Sequence, residues 1–199
     1  RGLCSWYVNG QFIDMFSEKT VQMLGRKQSV SIKTPAGILC SELFLDSSHA
    51  GVFAVYQVLE RKSDVDITVG CTYDNTQKLQ IFSDGNTEIE PDNYSVYFHL
   101  PVGTDKLIVY MTYEDIDSFD VAKECAIAQN EYVQELASIS VPEGLNEMEK
   151  ALFLSAYFCA LENYKVKGDF CGFMAGHRYL LPMRTYYRDS YYTVLPMYN

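Results

Sequence analysis

Residues 66–114, DITVGCTYDNTQKLQIFSDGNTEIEPDNYSVYFHLPVGTDKLIVYMTYE, carry the strongest indication of the fold class. It contains four or five runs of strand length that are rich in apolar, β-branched and aromatic residues. The runs are separated by Asp-Asn, Asp-Gly, Pro-Asp-Asn and Val-Gly-Thr-Asp, whose residues readily adopt turn conformations. Short strands that follow one another at intervals of about 8 to 12 residues are typical of an antiparallel β-sandwich.

The same pattern begins upstream of this stretch. In residues 25–37, Val30 and Ile32 alternate with polar neighbours and are followed by a Pro-Ala-Gly turn. In residues 52–62, Phe53, Val55 and, less cleanly, Val58 repeat in the same way. Alternation with a period of two predicts strands that have one buried face. We therefore expect residues 1–117 to form an N-terminal antiparallel β-sandwich domain.

After residue 117 the apolar periodicity becomes helical. Residues 118–139 carry one apolar stripe at helical spacing, and Ser118 or Asp120 is placed to cap the helix. The stripe consists of Val121, Cys125, Ala128, Tyr132 and Leu136. We expect residues 118–145 to form a helical linker.

A second helix is predicted from about Asn146 to about Lys165. It is apolar on nearly all sides from Leu152 through Leu161, which is typical of a helix inside a larger helical assembly. Its apolar core is too short to cross a bilayer, which needs about 20 residues. One further helix could not cover so much apolar surface, and the sequence starts at Arg1 rather than at a methionine. We therefore expect the chain to be an N-terminal fragment of a longer protein.

The charge of the chain restricts its partners. The 199 residues carry a formal net charge of −10, which argues against nucleic acid or an anionic membrane as a partner and suits a neutral ligand such as a sugar. No signal peptide is recognisable. The 6 cysteines are scattered without a C-x-x-C pair. This favours reduced thiols in a cytoplasmic protein over disulfides in a secreted one.

Metal and cofactor chemistry find little support in the sequence. His49, His99 and His177 have no His or Cys partner at metal-ligand spacing. The glycine-rich residues 168–176 lack the lysine and the strand-to-helix context of a phosphate loop, and no nucleophile elbow is present. We expect neither a metal nor a cofactor.

The last residues of the chain concentrate candidate ligand-binding groups. Arg184 and Arg188 are four residues apart, and Asp189 follows the second arginine. Aromatic rings match the apolar faces of a pyranose, and Arg and Asp can each hold two hydroxyl groups. A purely structural role stays open, because Asp189 could cap a helix while the tyrosines pack in the core. The tyrosines concerned are Tyr186, Tyr187, Tyr191 and Tyr192.

Residues 169–197, DFCGFMAGHRYLLPMRTYYRDSYYTVLPM, resemble the entry to the catalytic barrel of the six-hairpin glycosidases. The similarity is greatest to bacterial glycogen-debranching amylo-α-1,6-glucosidases and more distant to glucoamylase. Members carry a loop that ends in an aromatic residue, then Arg-Asp-Ser/Gly/Ala, then a helix led by aromatics, as in TYYRDSYYT. Tyr192 stands where relatives often have Trp.

The resemblance implies roles for individual residues. Arg188 and Asp189 would bind hydroxyl groups of the sugar in the −1 subsite, and Tyr186 would line the same pocket. Arg184, together with His177, lies on the same loop, and we include Arg184 among the substrate-binding residues. The implied architecture is a β-sandwich, a helical linker and an (α/α)6 barrel, of which residues 146–199 would be the start.

The implied activity is hydrolysis of α-glucosidic linkages in glycogen- or starch-type oligosaccharides, as in a debranching α-1,6-glucosidase. Two alternatives stay open: another glycosidase or phosphorylase of the same superfamily that acts on a different sugar, and a non-catalytic carbohydrate-binding β-sandwich. The implied partner is an oligosaccharide or polysaccharide, and the oligomeric state is left open.

The sequence does not supply the catalytic pair of carboxylates. Glycoside hydrolysis uses an acid and a base or nucleophile, and in this superfamily both come from later barrel loops. Glu162 and Asp169 are candidates by residue type alone, so no catalytic role is assigned to either. We expect the 199-residue chain by itself to be inactive.

Overall fold

The structure is a computed structural model that describes residues 4–13, 18–46, 51–62, 65–72, 79–85, 89–91, 95–167 and 170–173. Two β-sheets are followed by two helices and a short β-hairpin. The prediction of an antiparallel β-rich part followed by an α-helical part is therefore confirmed. The (α/α)6 barrel remains a prediction.

The first sheet has five strands in the order β2-β1-β7-β10-β9. Their bounds are β1 Cys4–Val8, β2 Gln11–Phe12, β7 Ile67–Thr72, β9 Ile89–Pro91 and β10 Ser95–Leu100. The second sheet has six strands in the order β3-β4-β5-β6-β11-β8. Their bounds are β3 Lys19–Leu24, β4 Lys27–Thr34, β5 Gly37–Leu45, β6 Gly51–Leu59, β8 Gln80–Ser83 and β11 Lys106–Thr112.

One hydrophobic core joins the two sheets. Trp6 and Phe98 from the first sheet belong to the same buried cluster as Leu39, Tyr56 and Val109 from the second. The Trp6 ring meets the Tyr56 ring edge to face, with 5.4 Å between centroids. Alternate residues of β6, β7, β10 and β11 supply most of this core, so the two sheets form the sandwich that the turn spacing predicts.

Helix α1, Val121–Ser138, begins at the predicted cap. The Asp120 carboxylate accepts a hydrogen bond from the backbone N–H of Lys123, at 3.1 Å, and so satisfies a donor at the helix start. The predicted apolar stripe is buried at Val121, Cys125, Ala128 and Tyr132, while Leu136 is half-buried.

The helix covers part of the outer face of the six-stranded sheet. Val121 and Cys125 pack in a second buried cluster with Phe53, Val55 and Tyr110. Strand β6 is therefore buried on both faces along most of its length. This explains why the apolar residues of 52–62 alternate imperfectly, since a strand covered on both sides needs apolar residues at successive positions.

Helix α2, Glu147–Asn163, starts with a reciprocal cap. The Asn146 side chain accepts from the backbone N–H of Glu149 at 3.0 Å, and the Glu149 carboxylate accepts from the backbone N–H of Asn146 at 2.8 Å. The helix ends two residues before the predicted Lys165. The chain continues directly into a hairpin of β12, Tyr164–Lys167, and β13, Phe170–Phe173, in which β-branched Val166 pairs with Cys171.

The chain divides into two compact units. The first comprises Arg1–Gln22 and Lys27–Glu135, and the second comprises Met23–Arg26 and Leu136–Asn199. Most of α1 thus belongs to the unit that contains the two sheets. Within the described residues, no helix is both long and apolar enough to span a membrane.

Candidate functional site

The sugar-binding residues predicted from the sequence lie outside the described residues. Arg184, Tyr186, Arg188 and Asp189, as well as His177, fall in residues 174–199, and Asp169 falls in residues 168–169. Their assignments therefore remain predictions. For Glu162, the structure gives only its place in the last turn of α2.

The outer face of the six-stranded sheet changes chemistry along its strands. Residues that pair across the sheet form three successive rows on this face. The first row is apolar and aromatic apart from Lys27 at its end, the second is mixed, and the third is polar. They consist of Lys27, Phe44, Phe53 and Tyr110; then Ser29, Glu42, Val55 and Ile108; then Ser31, Cys40, Gln57 and Lys106.

Beyond the cover that α1 provides, the polar part of this face forms a cavity of about 450 Å³. Its side chains are mainly hydroxyl groups and amides, with one carboxylate, and the buried Val55 lies among them. We call it the polar groove, and its defining residues are Thr20, Gln22, Ser29, Ser31, Glu42 and Gln57. The volume lies within the range of about 300 to 1,000 Å³ that small-molecule sites occupy.

The one carboxylate of the polar groove, that of Glu42, takes part in an ion pair. The Lys27 ammonium lies 2.7 Å from Glu42 Oε1, and the Ser29 hydroxyl donates to the same oxygen at 3.4 Å. Both charged side chains are partly exposed. The pairing neutralises the carboxylate, so the groove offers hydrogen-bonding groups without a net charge.

A second cavity, of about 330 Å³, adjoins the same ion pair. Lys27, Glu42 and Phe44 line it from the sheet, and Gln129, Tyr132 and Val133 line it from α1. Its walls are more aromatic than those of the polar groove. Glu42 therefore contributes to two neighbouring concave surfaces of different character.

An aromatic cluster lies on the outer face of the five-stranded sheet. The Tyr7 ring lies 5.8 Å from both the Phe12 ring and the Tyr97 ring, at angles of 63° and 70°. A Cβ atom at Gly70 would lie only 2.8 Å from the Tyr7 ring and 2.9 Å from the Tyr97 ring. Burial and the neighbouring Tyr97 raise the pKa of Tyr7. These rings cover the backbone at Gly70, so they provide less open space for a ligand than the polar groove does.

Two described cysteines differ in exposure. Cys125 is buried under α1, and this burial raises the pKa of its thiol to about 11. Cys40 is half-exposed in the polar groove, and its Sγ lies 3.7 Å from the Ser31 hydroxyl. Both thiols are free. In the parts of the chain that the structure describes, no group of three or more His, Cys, Asp or Glu side chains could hold a metal ion.

No family model and no curated protein sequence matches this chain. The polar groove was not predicted from the sequence, although a signal was present. Ser29 and Ser31 alternate with the core residues Val30 and Ile32. Polar residues at alternate positions are expected on any solvent-facing side of a strand, so this pattern does not by itself indicate a groove. Only the cross-strand pairing shows that they share a concave surface with Gln57.

Proposed function

We propose that this chain belongs to a glycoside hydrolase of the six-hairpin type that cleaves α-glucosidic linkages in glycogen- or starch-type oligosaccharides. The observation that carries the proposal is the sequence TYYRDSYYT at residues 185–193, in a chain whose β-sandwich is followed by helices. We propose Arg188 and Asp189 as ligands of the −1 sugar, with Tyr186 lining the pocket and Arg184 on the same loop.

The chemistry of these side chains fits a sugar ligand. A guanidinium donates two parallel hydrogen bonds and a carboxylate accepts two, so an adjacent Arg and Asp can fix several hydroxyl groups of one pyranose. Their opposite charges balance each other, which limits the free-energy cost of burying them. Tight, directional contacts of this kind would hold the sugar in the distorted geometry that an oxocarbenium-like transition state requires.

The exposed apolar residues of helix α2 favour the proposal that further helices pack against it. Met148 and Leu152 on this helix are 81% and 70% exposed. Exposed large apolar side chains are expected on a barrel helix when the helices that would pack against them are not among the described residues. We propose that α2 is the first helix of the barrel.

The acid and base of the reaction are not among the residues that the resemblance supplies. We propose that two carboxylates from later barrel loops perform acid-assisted, inverting hydrolysis, while this chain contributes substrate contacts. No cofactor takes part in this mechanism.

Substitution of Asp189 tests the proposal in a polypeptide that carries these 199 residues together with the acidic barrel loops. Each lost charge-assisted hydrogen bond contributes about 1.5 to 3 kcal/mol, so losing two in Asp189→Ala should lower kcat/KM by roughly 10²- to 10⁴-fold. Glucose release from isomaltose and limit dextrin is the measurement. The exposed Asp117 provides a matched control, and Asp117→Ala should retain full activity.

Two results would contradict the proposal. Near-wild-type turnover by Asp189→Ala, with unchanged thermal stability, would exclude its role in the −1 subsite. Glucose release by the purified 199-residue chain would contradict the assignment of the catalytic carboxylates to later loops. NMR detection of the anomer formed first would establish whether the reaction inverts configuration.

A further inference from the structure

We infer that the polar groove on the six-stranded sheet is a second, non-catalytic binding site for a neutral saccharide. The inference concerns the β-sandwich and does not depend on the hydrolase activity proposed for the terminal segment. It rests on the volume of the groove, the residue types that line it and the pairing of its one carboxylate with Lys27.

The position of the groove makes it more than an ordinary polar sheet face. In the row of Phe44, Phe53 and Tyr110, the same face carries large aromatic residues, and α1 packs against Phe53 and Tyr110. Two rows further along, small side chains such as Ser31 and Cys40 replace them. Small residues beside a covered half leave a recess of about 450 Å³.

The groups that line the recess select the chemistry of the ligand. The hydroxyls of Thr20, Ser29 and Ser31 and the amides of Gln22 and Gln57 can each donate and accept hydrogen bonds. The hydroxyl groups of a sugar have the same dual character. Cys40, which is half-exposed, adds a small and weakly polar surface to the recess, whereas Val55 is buried in the cluster under α1.

Charged ligands fit the groove less well. The carboxylate of Glu42 is already paired with Lys27, so an anion would displace an internal partner from the lysine and a cation would displace one from Glu42. The negative charge of the whole chain also disfavours an anion. A strand-forming peptide would add to a sheet edge, whereas this groove lies across the face of β3, β4, β5 and β6.

Chemical-shift perturbation of the ¹⁵N-labelled 199-residue chain is the direct test. Maltotriose and isomaltose are the saccharide probes, and sodium phosphate is the charged comparison. We expect maltotriose or isomaltose to shift the amide signals of Ser29, Ser31 and Gln57 in a saturable manner, and phosphate to leave them unchanged. Because the groove has no aromatic ring among its lining residues, binding should be weak, and NMR detects weak binding.

Two substitutions at one exposed position probe the groove without disturbing the core. Gln57→Ala removes one hydrogen-bonding group and should weaken binding roughly 2- to 12-fold, the effect of one ordinary hydrogen bond. Gln57→Leu removes the whole amide while keeping a side chain of similar size, and it should weaken binding at least as much as Gln57→Ala. Gln134 is an exposed glutamine outside the groove, and Gln134→Ala and Gln134→Leu are the matched controls.

The outcome separates this inference from the proposed function. Asp189→Ala should leave the shifts of Ser31 and Gln57 intact, whatever it does to hydrolysis. The inference is overturned if neither saccharide perturbs these signals, or if Gln57→Leu binds as well as the wild type. It is also overturned if the perturbations centre on Tyr7 and Tyr97 or disappear in Asp189→Ala.

Discussion

Substitution of Arg61 tests which hydrogen bonds stabilise the β-sandwich. Its guanidinium donates to the backbone carbonyls of Val65 at 3.1 Å, Leu100 at 2.6 Å, Pro101 at 3.0 Å and Thr104 at 3.1 Å. The side chain is only 6% exposed. Arg61 thus links two separate segments of the chain, the beginning of the β6–β7 connection and the turn between β10 and β11. Removal of its side chain should destabilise the sandwich strongly.

The magnitude follows from these contacts. Four hydrogen bonds from a charged group, at about 1.5 to 3 kcal/mol each, set an upper bound on the stability that the Arg61 side chain contributes. The cost of burying its charge makes the net contribution smaller. Nε of Arg61 is buried and has no partner among the described residues, which lowers the net gain further. The Asp105 carboxylate, 3.8 Å from the guanidinium and 58% exposed, adds little. We expect Arg61→Ala to lower the free energy of unfolding by about 3 to 5 kcal/mol.

Urea unfolding followed by the fluorescence of Trp6 measures this effect. Trp6 is the only tryptophan of the chain and is buried between the sheets, so its emission reports on the sandwich. At about 2 to 4 °C per kcal/mol, the melting temperature should fall by roughly 6 to 20 °C. Arg61→Lys should retain part of the stability, because an ammonium has only three donors at one point.

Lys62 is the neighbouring exposed cation and provides the control. Lys62→Ala should change the urea midpoint very little. If Arg61→Ala and Lys62→Ala both unfold at the same urea concentration as the wild type, the four carbonyl contacts of Arg61 do not stabilise the sandwich.

Two further predictions concern backbone strain at two glycines and the reactivity of two cysteines. Gly25 has a φ of 58°, and a Cβ atom there would lie 2.6 Å from Cγ of the buried Phe158. Gly25→Ala should therefore lower the free energy of unfolding by about 2 to 5 kcal/mol, through backbone strain and this overlap together. Gly144 has a φ of 83° with open space around it, so Gly144→Ala should lower the free energy of unfolding only through backbone strain, by about 1 to 2 kcal/mol. If thermal unfolding shows equal losses for Gly25→Ala and Gly144→Ala, the overlap with Phe158 is excluded. The raised pKa of Cys125, about 11, keeps its thiol protonated from pH 7 to 9, so iodoacetamide should modify it far more slowly than the half-exposed Cys40. Peptide mass spectrometry over a time course measures both rates, and equal rates at pH 8 would show that Cys125 is not protected.

The local elements could be predicted because their signals lie close together in the sequence. Asp120 and Asn146 cap their helices through backbone groups three residues away, so a short pattern is sufficient. The turn residues of 66–114 separate five strands of the two sheets for the same reason. The hairpin after α2 was not predicted, because its strands are short and follow the helix without an intervening turn signal.

The order of the elements could be predicted from residues close together in the chain: a β-rich part, then helices, with turns and caps at recognisable residues. Which distant residues come into contact is known only from the three-dimensional arrangement. The polar groove joins Ser31, Cys40 and Gln57 through cross-strand register, and Arg61 reaches carbonyls about 40 residues along the chain. Ser31 and Cys40 pair within one hairpin, whose short turn sets their register. The hydrogen bonds of Arg61 instead depend on how distant segments of the two sheets pack together, and no local pattern specifies that packing.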